Sequence, residues 1–207
     1  MKGTQNSKKR TLRLAQIAML IALIVVLQII AALLSKAAIL PVNITLTLIP
    51  LVIGAVMFGP GAGAILGTAF GIIAIILGAT GADAFTLTLL QMNPFATVAI
   101  CLLKGAAAGA AAGAIAIPFN KKDKIYPAVI CAAVTAPIVN TGLCVAGLLI
   151  FFWDFITGMA DQAGQSLLLF VLVGLVGVNF VVEFVINAVL GPAVVRIIEA
   201  VKKSKLV

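Results

Sequence analysis

The chain has 207 residues, of which 63% are hydrophobic and only 10% are charged, and its mean hydropathy is +1.28. A soluble domain carries roughly 25% charged residues, because water must solvate its surface. This composition excludes a water-soluble globular domain and predicts an integral membrane protein. The formal net charge is +8, but the basic residues flank apolar runs, where membrane topology accounts for them without a nucleic-acid partner.

Six apolar segments follow one another along the chain, and a helix needs about 20 apolar residues to cross a bilayer. The turn Phe58-Gly59-Pro60-Gly61 separates the second segment from the third, since Gly and Pro favour chain reversal. We therefore predict an all-α bundle of six transmembrane helices in a single domain, 1–207. The predicted helices cover residues 12–34, 43–58, 62–77, 94–117, 126–152 and 166–196. The intervening segments 78–93 and 153–165 are predicted to be loops.

The distribution of basic residues predicts the topology. With a cytoplasmic N-terminus, the basic segment 1–11, the lysines in 121–124 and the basic tail 199–207 all fall inside. The outer loops then contain Lys36 as their single basic residue, together with Asp83, Asp154 and Asp161. Because cytoplasmic loops are enriched in Lys and Arg, six crossings with both termini cytoplasmic is the consistent solution. The first apolar stretch exceeds the 7–15 residues typical of a signal-peptide core, so we expect it to be retained.

Two ionisable residues lie within apolar helices, which makes them candidates for a functional site. Lys104 is about 15 Å into the fourth predicted helix, at 1.5 Å per residue, and Glu183 lies near the middle of the sixth. A charge at such depth costs several kcal/mol unless it is paired or faces water. The two residues are therefore candidates either for a structural ion pair or for a substrate site.

Polar residues on the last helices strengthen the prediction of a site. Asn179 and Asn187 are each one turn from Glu183 and share its helix face. Asn140 follows Pro137, which opens the backbone of the fifth helix locally. A polar face is expensive in lipid, so we expect these side chains to point into the bundle and bind a small molecule.

Two residues mark the outer mouth of this predicted site. Asn93 precedes Pro94 at the start of the fourth helix. Trp153 follows the fifth helix, where it could anchor the chain at the membrane interface or stack over a ligand.

Small residues recur at four-residue spacing in two helices: Gly63, Gly67 and Gly71, then Gly105, Gly109 and Gly113. Such faces let another backbone approach closely, either inside the bundle or on a partner protein. Ala18 and Ala22 form a similar pair in the first helix. The three cysteines lie in apolar runs and are expected to be core residues.

Several chemistries are excluded by residues that the sequence lacks. There is no histidine, no HExxH or GxSxG motif and no metal-ligand spacing of cysteines, so we expect neither a metal site nor enzymatic activity. There is also no GxxxxGK[ST] loop to hold ATP phosphates. Uphill transport by this chain would need an ion gradient or a separate ATPase.

Together these features resemble the substrate-binding S component of an energy-coupling factor (ECF) vitamin transporter. The resemblance covers essentially the full chain and rests on six helices in about 200 residues and a basic N-terminus. It also rests on three short motifs: Ile49-Pro50-Leu51-Val52-Ile53-Gly54-Ala55, Phe58-Gly59-Pro60-Gly61-Ala62-Gly63 and Leu103-Lys104-Gly105.

The resemblance implies that Ala18 and Ala22 contact a membrane coupling subunit, which carries two ATPase subunits. ATP would be consumed by those partners, with no cofactor bound by this chain, in a bacterial plasma membrane. The implied substrate site, in the outer half of the last three helices, comprises Asn93, Lys104, Asn140, Trp153, Asn179 and Glu183. A lysine beside several asparagines suits a small carboxylate with amide and hydroxyl groups, and pantothenate fits that description.

Two other functions remain open at this stage. A small stand-alone secondary transporter or channel could use Lys104 and Glu183 as an ion relay. A membrane scaffold without a ligand would need the polar residues only for stability.

Overall fold

The computed structural model describes residues 2–36, 47–122, 124–177, 191, 194–196 and 198–199. All regular structure in these ranges is helical. The helices are α1 (Lys2–Lys36), α2 (Leu48–Phe58), α3 (Pro60–Ala79), α4 (Ala84–Met92), α5 (Pro94–Asn120), α6 (Ile125–Phe151), α7 (Trp153–Gln162) and α8 (Leu167–Leu169), which continues as a π-helix over Phe170–Gly177.

Four helical stretches in the described part of the chain are long and apolar enough to span a membrane: Arg10–Leu33, Pro60–Ala79, Pro94–Asn120 and Ile125–Phe151. A fifth span is possible if Trp153–Gln162 and Leu167–Gly174, which meet at 97°, form one broken crossing. The chain is thus an all-α, multi-pass membrane protein. Of the six predicted helices, the second has 11 described residues, and most of the sixth lies outside the described ranges.

Both predicted loops were wrong in part, because each contains a short helix. The segment predicted as loop 78–93 forms α4, whose N-terminus is capped by Asp83. Asp83 Oδ1 accepts from the backbone N–H groups of Phe85 (3.1 Å) and Thr86 (3.3 Å), which satisfies donors that a helix start leaves unpaired. The second loop, 153–165, forms α7, which ends before Gly164 at φ 63°.

The predicted reversal between α2 and α3 is confirmed. Gly59 has φ 86°, a left-handed conformation that glycine adopts without steric cost. Pro60 follows at the first position of α3, where its missing N–H is not needed.

The glycine faces pack inside the bundle, on antiparallel α3 and α5. A Cβ added at Gly67 would collide with the carbonyl oxygen of Gly105, and one added at Gly63 would collide with that of Gly109. The two backbones therefore touch, which only glycine at these positions allows. The internal-packing interpretation of these glycines is confirmed.

Arg13 and the residues just before the lysines in 121–124 lie at one end of the bundle. Arg13 Nη2 donates to the carbonyl oxygen of Phe58 (2.8 Å), and Asn120 Nδ2 donates to that of Val56 (2.7 Å). These bonds join α1 at Arg13, the α2–α3 turn and the end of α5, just before Lys121. We call this the basic end. The opposite end, where α3 runs into Asp83 and α6 runs into α7, is the acidic end.

Two apolar clusters fill the bundle. The cluster nearer the basic end includes Ile24, Leu48, Leu66, Ala112, Val129 and Ala136, and the cluster nearer the acidic end comprises Leu89, Ala96, Ile100, Leu148, Phe152, Ile156 and Val171. Both lie in the interior, where four to five crossings bury them from lipid. On α6, the buried polar residues Asn140 and Thr141 lie between the two clusters.

Candidate functional site

A polar layer separates the two apolar clusters on α5 and α6. On α6, Asn140 and Thr141 lie between Ala136 of the basic-end cluster and Leu148 of the acidic-end cluster. On α5, Lys104 likewise lies between the buried residues of the acidic-end cluster and those of the basic-end cluster. The helices that form this layer are among the most closely packed in the bundle, so its polar groups are held at fixed depth.

Asn140 is the most deeply buried of the predicted site residues in the described chain. Its side chain is 6% exposed, and its Oδ1 atom has no hydrogen-bond partner among the described residues. An unpaired buried acceptor costs roughly 1–3 kcal/mol. Pro137, one turn earlier and also buried, lacks the N–H that would complete the helix there. The missing N–H frees the carbonyl group of Ala133, one turn before Pro137, while α6 continues through both residues to Asn140.

Lys104 contributes a cation to the same layer. Its Nζ atom donates to Cys144 Sγ at 3.7 Å, a contact that joins α5 to α6. Cys144 follows Asn140 by one helical turn, so the ammonium group and the unpaired amide oxygen are neighbours along α6. The contact brings Lys104 to α6, and its pairing with Glu183 stays a prediction, because Glu183 lies outside the described residues.

Asn93 has a structural role in addition to its predicted one. It ends α4 and caps α5: its Oδ1 accepts from the Ala96 N–H at 3.1 Å, and its carbonyl oxygen accepts from Thr97 Oγ1 at 2.8 Å. Contact between Asn93 and a ligand stays a prediction.

Trp153 lies at the acidic end, as the first residue of α7, and is 52% exposed. Two residues of α7 one turn apart, Ile156 and Ala160, are buried against the bundle. The helix therefore covers part of the acidic-end cluster and holds Trp153 at its rim. Asn179 and Glu183, with their neighbour Asn187, lie outside the described residues.

The sequence-based prediction missed two buried polar residues whose side-chain oxygens lack a partner in the described chain. Gln28 of α1 donates from Nε2 to the Phe70 carbonyl oxygen at 3.2 Å, while its Oε1 has no partner in the described chain. Thr47, just before α2, is 1% exposed and its Oγ1 is likewise unpartnered there. A signal existed for Gln28, because it is the single polar residue between Ile17 and Leu34.

Ala18 and Ala22 lie on the outer face of α1. Both are exposed, whereas Ile17, Leu20 and Ile24 of the same helix are buried in the bundle. The predicted partner surface is therefore available on the outside of the molecule. Contact with a partner there stays a prediction.

The fold and the polar layer define a multi-pass membrane protein with a polar interior, and comparison with known proteins gives its family. The family described as ECF transporter, substrate-specific component, matches residues 12–195. The chain belongs to this family of substrate-binding transporter subunits, as the resemblance predicted, and the family is not one of enzymes. The comparisons with curated proteins and with solved structures gave no match.

Proposed function

We propose that this chain is the high-affinity binding subunit for uptake of a vitamin or related micronutrient. It works with a separate membrane coupling subunit and two ATPase subunits, which hydrolyse ATP. The family match supports the general role. The observation that carries the proposal is the buried, unpartnered Oδ1 of Asn140 beside the Lys104–Cys144 contact, because a buried acceptor is costly when unpaired and a bound ligand would satisfy it next to a cation.

We further propose six crossings with both termini in the cytoplasm of a bacterial cell. The bonds Arg13–Phe58 and Asn120–Val56 bring basic segments to one end of the bundle. The positive-inside tendency then assigns that end to the cytoplasm and the acidic end to the outside. The site lies nearer the acidic end, since Lys104 is about 15 Å from the start of α5 but about 24 Å from its end.

The proposed substrate is pantothenate. Lys104 offers a cation for a carboxylate, and Asn140 offers an amide for hydroxyl and amide groups. Asn93, Trp153, Asn179 and Glu183 complete the proposed set of substrate-binding residues.

Ligand-dependent thermal stabilisation of the purified chain against a vitamin panel tests this function. A ligand that binds only the folded state at 100 times its Kd raises the free energy of unfolding by about 2.7 kcal/mol. We expect pantothenate to stabilise the wild-type chain and the variant Cys131→Ser, and to have little effect on Asn140→Leu. Cys131 is the control because it precedes Asn140 by nine residues, two and a half turns, and faces the opposite side of α6.

Reconstitution in liposomes separates this proposal from the two alternatives. The binding subunit should take up substrate only when the coupling subunit, the ATPases and ATP are present. Uptake by the chain alone, driven by a proton or sodium gradient, would identify a secondary transporter. A chain that shows no saturable binding to any vitamin would be a scaffold.

A further inference from the structure

We infer that the ligand binds in one orientation, with its anionic group toward the acidic end at Lys104 and its hydroxyl or amide N–H donors deeper, at Asn140. This inference rests on the proposed function and adds to it the polarity of the ligand and the direction in which it lies. It depends on the relative depth of two side chains and on the hydrogen bonds that each is able to form.

The relative depth follows from α6. Lys104 Nζ is held at Cys144 Sγ, at 3.7 Å. Cys144 follows Asn140 by four residues on a helix that runs toward the acidic end, so its level is about 6 Å nearer that end. The cationic group and the unpaired amide oxygen are therefore stacked along the bundle axis, with the cation on the outer side.

The hydrogen-bonding capacity of Asn140 Oδ1 and of the Lys104 ammonium determines which ligand group can bind to each of them. Asn140 Oδ1 only accepts hydrogen bonds, so its partner must be a hydroxyl or N–H donor. The Lys104 ammonium only donates, and a carboxylate is the acceptor that it binds most strongly. A ligand bound the other way round would leave Asn140 Oδ1 without a donor. It would also place a cation or hydrogen-bond donor of the ligand beside the Lys104 ammonium. The site thus selects a small carboxylate whose other end carries donors.

Isothermal titration with matched ligands and variants of the full chain tests the orientation. The ligands are pantothenate, its alcohol analogue without the carboxylate, and an analogue without the two hydroxyls. Wild type should bind each analogue about tenfold to a hundredfold more weakly than pantothenate, because the alcohol leaves the Lys104 ammonium without its carboxylate and the dehydroxylated analogue leaves Asn140 Oδ1 without a donor. Lys104→Met should lose only the discrimination against the alcohol. Asn140→Leu should lose only the discrimination against the dehydroxylated analogue.

Controls keep the result independent of folding. Lys104→Arg should restore the preference for the carboxylate, and on the unmodified chain an amine-terminated analogue should bind more weakly than the neutral alcohol. The opposite pairing of variants and analogues, or equal loss for both analogues in each variant, would overturn the orientation while leaving the binding function intact. Failure of the wild-type chain to bind pantothenate would overturn the proposed substrate and this inference together.

Discussion

Lys104 and Cys144 are joined across α5 and α6, with Nζ 3.7 Å from Sγ. This contact places a thiol at the outer level of the proposed site, one turn from Asn140. Cys144 is half-buried, so it is a natural reporter of occupancy.

Substrate should therefore protect Cys144 from alkylation. We expect N-ethylmaleimide to modify Cys144 severalfold more slowly when pantothenate is bound, because the ligand would cover the thiol next to Lys104. Cys131, on the opposite face of α6 and also half-buried, should react at the same rate with and without ligand. Mass spectrometry of the two peptides measures both rates in one sample, and equal protection of both thiols would indicate a general change in the protein.

Asn140→Leu should separate stability from binding. The substitution removes an unpaired buried acceptor and fills the space with an apolar side chain of similar size, so we expect the apo chain to gain up to roughly 1–3 kcal/mol of unfolding free energy. Ligand-induced stabilisation should disappear in the same variant. Thermal unfolding in detergent, with and without pantothenate, measures both effects. A large loss of apo stability would show that Asn140 is a structural residue.

The glycine contact between α3 and α5 should be intolerant of side chains. Gly67→Ala should destabilise the chain by roughly 1–3 kcal/mol, because the added Cβ meets the Gly105 carbonyl oxygen and the helices must separate. Gly61 of the same helix is the matched control, since an added Cβ there meets nothing within 4 Å. Gly61→Ala should be neutral or stabilise by about 0.5–1 kcal/mol. Equal effects of the two substitutions on the unfolding temperature would contradict this packing.

The sequence identified the long helices because apolar runs of bilayer length have few alternative structures. It also identified Lys104 and Asn140, because polar residues stand out within such runs. It missed α4, which follows Asp83, and α7, which contains Asp154 and Asp161, because acidic residues beside small and polar ones are typical of loops. Only the structure shows Asp83 capping α4 and the burial of Ile156.

Contacts between helices were less predictable than the helices themselves. The glycine spacing predicted close packing but did not say that Gly67 meets Gly105. Likewise, the contact of Lys104 with Cys144, and that of Gln28 with Phe70, depend on how each helix is rotated in the bundle. The rotation of each helix about its own axis depends on many side-chain contacts at once, and these contacts cannot be read from a single sequence.

Removal of the α4 cap should loosen the acidic end locally. Asp83→Ala loses the carboxylate that accepts from Phe85 and Thr86, and replacement of such a cap costs about 1 kcal/mol. Asp83→Asn should keep most of the stability, since Asn is an equally good N-cap. Hydrogen exchange of the α4 amides should be faster in Asp83→Ala alone. Unchanged exchange would show that packing against α3, and not the cap, holds α4.

Ala18 tests the proposed partner surface independently of the ligand site. Ala18→Leu adds bulk to the exposed face of α1, where a small residue would let a partner helix approach closely. Because the substitution points away from the buried face that carries Ile17 and Ile24, it should leave unfolding temperature and pantothenate affinity unchanged. Co-purification with the coupling subunit and ATP-driven uptake should both fall severalfold.

Ala114→Leu, at an exposed alanine of α5, is the matched control and should assemble like wild type. If Ala18→Leu assembles and transports normally, the coupling subunit must contact another face. If it loses ligand binding as well, the exposed face of α1 is coupled to the interior, and the two functions are not separable. The expected result is loss of assembly with binding intact, which would show that substrate recognition uses the interior of the bundle and energy coupling uses the outer face of α1.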